Sequence, residues 1–277
     1  MKNGAMLAFL LLFVATVPLF AQQFDSGSDG SYGPIHVPSS TAVTIDVPLD
    51  GIIHATTVTI DHYGSLHFRA NELNTPVYLL ATGDVTLSTY NTSVSVSGRN
   101  AEGVIGGAGG PGGFGGGHGA AAGGSASAGF GPGAGGAGTG PCSDSGGGGA
   151  YRTAGSSANV GQPYGSQLLL PLVGGSGGGG LAESAIGGGG GGGAILIASN
   201  TQIVINGHIS AAGGGGCNAS NTNGGSGGAV RLVAPKVIGY GTFQVGSVNV
   251  WGASGGGSGR IRVDALQPVS GEVLKAV

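Results

Sequence analysis

The sequence predicts an all-β chain: a right-handed parallel β-helix or β-solenoid carrying long glycine-rich insertions, with polyglycine II helices as one form for those insertions. Three observations predict it. Apolar and polar residues alternate in short bursts, a strand-like unit recurs along the chain, and 66 of the 277 residues are glycine. Alternation with period two and β-branched residues marks strands, and helical periodicity is absent beyond the N-terminus. Only 8% of residues are charged and 6% are aromatic, which excludes both ordinary charged disorder and a large helical core. A net charge of −3 lacks the positive field that a nucleic-acid binder needs.

In chain order, residues 1–21 read as a secretory signal peptide. Lys2 supplies a positive start, Met6 to Val14 form an apolar run, and Leu19-Phe20-Ala21 end in a small residue suited to cleavage. The run is short for a membrane span and Pro18 interrupts it. No second run of membrane length follows, so the expectation is a secreted or cell-surface protein with no membrane span after cleavage. No cysteine stands near the cleavage point to take a lipid.

Residues 22–102 form a first strand region. Val43-Thr44-Ile45-Asp46-Val47, Val58-Thr59-Ile60, Ser65-Leu66-His67-Phe68, Val85-Thr86-Leu87 and Ser93-Val94-Ser95-Val96 alternate between Gly, Pro and Asn punctuation. Residues 103–193 form the glycine-rich insertion. From Gly106 to Gly117 it runs in triplets (GGA, GGP, GGF, GGG). A helix with three residues per turn would line up Ala108, Pro111 and Phe114 on one edge and leave the other two edges as bare backbone. Four triplets at the extended rise would span roughly 37 Å. The alternative is a flexible linker.

Residues 194–277 form a second strand region. Gly193-Ala194-Ile195-Leu196-Ile197-Ala198 returns as Gly228-Ala229-Val230-Arg231-Leu232-Val233-Ala234 and as Gly259-Arg260-Ile261-Arg262-Val263-Asp264-Ala265. Ala194–Ile205 also resembles Val77–Leu87. Such recurrence is the mark of stacked repeats. Cys142 and Cys217 are the two cysteines; an even pair in an oxidising compartment predicts one disulfide.

Taken together, the leader, the run AILIASNTQIVINGHISAAGGGG and the following GGSGGAVRLVAPKVIGYGTF resemble the glycine-rich secreted or surface β-helix proteins of bacteria. The triplets are similar in composition to mycobacterial PE-PGRS arrays and to polyglycine-helix phage adhesins, though the chain lacks the helical N-terminal domain of the former. What the resemblance implies is a structural or adhesive role at a surface, without a cofactor.

Motifs for chemistry are sparse. Ser176, Ser226 and Ser254 each sit in Gly-x-Ser-x-Gly, but a hydrolase elbow needs a helix after the serine and His and acid partners. Asp46, Asp50, Asp61 and Asp84, with His54, His62 and His67 nearby, are the candidates for an acid–base pair. Arg231 and Arg262 hold matching repeat positions, so they predict a small cationic strip for glycan contact. No catalytic, metal or cofactor residue is assigned. The reading is an exported structural or adhesive protein, not an enzyme, with a polysaccharide or cell-envelope surface as partner. A carbohydrate-active lyase or hydrolase is the first alternative and an ice- or surface-binding protein the second.

Overall fold

The computed structural model describes residues 24–89, 91–120, 124–141, 146–156, 159–217, 223–239, 242–244 and 255–267. The expected signal peptide, Cys142 and Ser254 lie outside them.

Among the described residues, fourteen strands are arranged in two sheets. The first holds β1 (Gly33–Val37), β3 (Ile52–Ile60), β5 (Val77–Ala81), β6 (Val85–Leu87), β8 (Ala194–Ser199), β9 (Gln202–Ile205), β11 (Ala229–Ala234), β12 (Lys236–Ile238) and β14 (Arg260–Ala265). The second holds β2 (Ala42–Asp46), β4 (Ser65–Arg69), β7 (Ser93–Ser95), β10 (His208–Ser210) and β13 (Thr242–Gln244). Every strand pairing is parallel.

This arrangement corrects the expected right-handed β-helix with glycine-rich insertions. The first sheet runs β12-β9-β6-β3-β5-β8-β11-β14, and its two end strands lie against each other, so it nearly closes like a barrel. All-parallel pairing of this kind is typical of α/β sheets, where helices make the crossovers. Here loops and glycine segments make them, and no helix occurs among the described residues. The cause lies in β3. It is nine residues long, and its first half pairs with β5 while its second half pairs with β6. A recurrence in sequence reports which strands become neighbours, but not how they are shared between sheets.

Parallel register puts like residues on like. Ile35, Val58, Val85, Ile203 and Val237 form one continuous column, and Ile53, Leu79, Ile197, Leu232 and Val263 form another. Leu66, Val94 and Ile209 of the second sheet face them across one apolar core. Burying a side chain of this size contributes about 1.5–3 kcal/mol. Ile261 and Val263 of the recurring unit are only half-buried, because β14 ends the path of the sheet.

The glycine-rich segment is a body of its own, not an ornament. Along 187–194 the N–H groups address three neighbours in strict rotation. Gly187, Gly190 and Gly193 donate to Gly103, Arg99 and Val96; Gly188, Gly191 and Ala194 donate to Gly117, Phe114 and Pro111; Gly189 and Gly192 donate to Asn223 and Ser226. A period of three is that of an extended left-handed helix with three residues per turn. Side chains are excluded by contact: a Cβ at Gly190 would overlap the Ala108 carbonyl, and one at Gly225 the Gly190 carbonyl. The triplet run itself does not span 37 Å. Gly112 takes φ +76°, and the Gly113 N–H donates back to the Gly110 carbonyl at 2.7 Å. The segment therefore doubles back on itself, with Gly116 donating to Gly107.

Candidate functional site

The outer face of the second sheet carries small polar side chains in register. Thr44 lies beside His67, His67 beside Ser95, and Ser95 beside Ser210. They point outward because alternation sends Ile45, Leu66, Phe68 and Val94 into the core. The chain leaves β7 through Val96, Ser97 and Gly98 and enters the glycine body at Arg99, where the Arg99 N–H donates to the Ala108 carbonyl at 2.8 Å. A groove of about 500 Å³ follows this junction. Thr44, His67, Arg69, Ser95, Ser97 and Arg99 line one side, and Ala108, Gly109, Gly110 and Pro111 the other.

Its hydroxyls are tied together: Ser97 Oγ is 2.8 Å from Ser210 Oγ and 3.2 Å from Ser95 Oγ. Its cations are less engaged. Arg69 pairs at 2.7 Å with Asp46, both highly exposed, a contact contributing about 1 kcal/mol or less. The guanidinium of Arg99 and the ring of His67 make no hydrogen bond or ion pair with the described residues. The N–H groups of Ala108 and Gly109 likewise have no partner among the described residues. The period of three explains this, since Gly107 and Gly110 face the glycine body and donate to Gly188 and Gly191.

The acid–base candidates do not converge. Asp61 meets His36 at 2.8 Å, Asp50 accepts the Ile52 N–H, and Asp84 accepts from Thr201 and from Gln202 Nε2. His54 lies 3.7 Å from Asp29, whose carboxyl is held below its ordinary range chiefly by hydrogen bonds from Ser31. His62 contacts Thr89 Oγ1 at 3.0 Å. His67 alone reaches the groove, and Asp46 approaches its rim through Arg69. No group of three His, Cys, Asp or Glu side chains suited to a metal occurs among the described residues.

Ser176 and Ser226 are fully buried in the glycine body. Ser176 Oγ accepts from the Gly133 N–H and donates to the Tyr164 hydroxyl, which donates to the Gly174 carbonyl. The Ser226 hydroxyl accepts from the Ser176 N–H at 2.9 Å. Neither serine meets a histidine, so both are internal links. Burial pushes the Tyr151 hydroxyl up to about 12 and raises Tyr164 further. The two rings pack with centroids 4.9 Å apart, and Arg260 sits over Tyr151.

Arg231 and Arg262 do stand side by side in register. They share the Asp264 carboxylate at 2.9 and 2.7 Å, and Arg262 also donates to the Leu168 carbonyl. Cys217 is buried, its N–H donating to Asn223 Oδ1 at 2.7 Å, and no cysteine among the described residues is a free thiol.

No protein-family model, curated protein or solved structure matches the chain. The site therefore rests on its own geometry. Sequence reasoning passed over Arg69 and Arg99, because only strand register brings them to one groove. The available signal was the alternation in Ser65-Leu66-His67-Phe68-Arg69, which sends His67 and Arg69 to the outer face.

Proposed function

We propose that the protein is an exported structural or adhesive component of a surface or matrix, and that it binds without catalysing. The observation that carries this reading is the dispersal of its titratable groups. Acid–base or nucleophilic catalysis needs two or three such groups converging on one substrate atom. Here Asp46, Asp61 and Asp84 are each engaged by a different partner. What the molecule offers a partner instead is a flat ladder of hydroxyls on the second sheet and a glycine body whose backbone is mostly satisfied within itself. Such surfaces suit a repetitive polymer, with a polysaccharide or cell-envelope surface as partner and no cofactor. Arg231 and Arg262 remain a second contact strip, with part of their charge offset by Asp264.

The test is incubation of the purified mature chain with insoluble acidic and neutral polysaccharides, following retention, new reducing ends and unsaturated products. Retention with no product is expected. Turnover that disappears in Asp61→Asn or Asp84→Asn would overturn the reading.

A further inference from the structure

We infer that the groove between the second sheet and the glycine body takes an acidic polysaccharide, with Arg99 as the principal anion contact. This rests on the adhesive reading above and names its ligand class.

Three features of the groove select for it. First, its charge is of one sign where it is unengaged. The Arg99 guanidinium has no partner among the described residues, Arg69 holds only the exposed Asp46, and no carboxylate among the described residues lines the groove. Second, the residues lining the groove from the glycine body, Ala108 to Pro111, carry small side chains or none and leave backbone accessible. The Ala108 and Gly109 N–H groups have no acceptor among the described residues, and the Arg99 N–H is bonded to the Ala108 carbonyl, so guanidinium and N–H donors line one groove. Guanidinium and backbone N–H donors are the groups that grip a carboxylate, and charge-assisted bonds of this kind are about twice as strong as neutral ones. Third, the floor is a row of hydroxyls and one imidazole (Thr44, His67, Ser95) in strand register. Adjacent strands lie roughly 4.8 Å apart, so the row offers sugar hydroxyls a partner at each step across the sheet. A free small anion would use the first two features and ignore the third. A chain of acidic sugars uses all three.

The test uses the mature full-length chain in affinity electrophoresis against polygalacturonate, fully methyl-esterified pectin, dextran sulfate and a neutral glucan. Retardation by polygalacturonate is expected, reduced in high salt because the contact is ionic. Arg99→Gln should weaken it about tenfold, the loss of roughly one charge-assisted contact, and Arg69→Gln with Arg99→Gln should abolish it. Arg152→Gln, an exposed arginine away from the groove that contacts only Ser258, serves as the comparison variant and should retain binding. Equal retardation by esterified and free polymer, or an Arg99→Gln chain that binds like wild type, would overturn the inference. Tight binding to dextran sulfate alone would also overturn the assignment to carboxylated sugars. Retention by a neutral glucan with the arginine variants unaffected would sink this inference and leave the adhesive reading standing. No retention by any polymer would count against both.

Discussion

At the scale of single residues, the glycines divide by what surrounds them. Gly190 donates to Arg99 while a Cβ there would overlap the Ala108 carbonyl. Gly115 has its nearest neighbours at 3.6 and 3.7 Å, ordinary van der Waals contact. Gly190→Ala is therefore expected to cost about 3 kcal/mol through overpacking. Gly115→Ala should be neutral or slightly stabilising, because alanine restricts the unfolded chain. Thermal or urea unfolding of the two variants checks this, and equal midpoints would contradict it. Tyr151 gives a second expectation, for pH. Its folded-state value is raised to about 12 from 10.0 by burial, so the unfolded chain loses this proton first. The sign follows: the contribution is fully present below about pH 10 and is lost as pH rises toward 12. Unfolding midpoints measured from pH 8 to 12 should fall across that window, with the tyrosine absorbance change coinciding with unfolding.

At the scale of elements, hydrogen exchange separates the segments sharply. Amides of Gly187 to Gly193 are bonded to three neighbours and should exchange slowly, whereas Ala108 and Gly109 should exchange near the rate of an open chain. Uniformly fast exchange across both would contradict the three-directional bonding. The strands were legible because Val58, Ile60, Leu79, Ile197 and Leu232 stand at every second position of short apolar and β-branched runs and become buried columns. Their pairing was not legible, although the alternation in β3 slips at Thr56-Thr57, between the half that pairs with β5 and the half that pairs with β6. The three-residue repeat was visible in the GGX text, but its reversal at Gly112 depends on Asn74, which binds the Gly112 N–H at 3.1 Å from a distant loop. The groove was hidden for the same reason. His67 and Arg99 are 32 positions apart and meet only through register.

At the scale of the whole molecule, the proposed Cys142–Cys217 link closes a loop of about 76 residues, worth roughly 4–5 kcal/mol by restriction of the unfolded chain. Oxidised protein exported by a living cell should resist alkylation at both thiols and lose several degrees of thermal stability on reduction. Ready alkylation of both without reductant would refute the link. The glycine body carries a different consequence, for how such a protein can change in length. A direction is assigned to each N–H by counting in threes along the chain. Adding one residue inside 187–194 would turn every later donor toward the wrong neighbour, whereas adding three restores each one to its own. Growth of this body is thus quantised. A whole Gly-Gly-Ala unit placed at a turn extends it by one step, and a single added glycine misaligns everything downstream. The molecule behaves like a woven cloth, which is lengthened by complete rows and puckers when half a stitch is added.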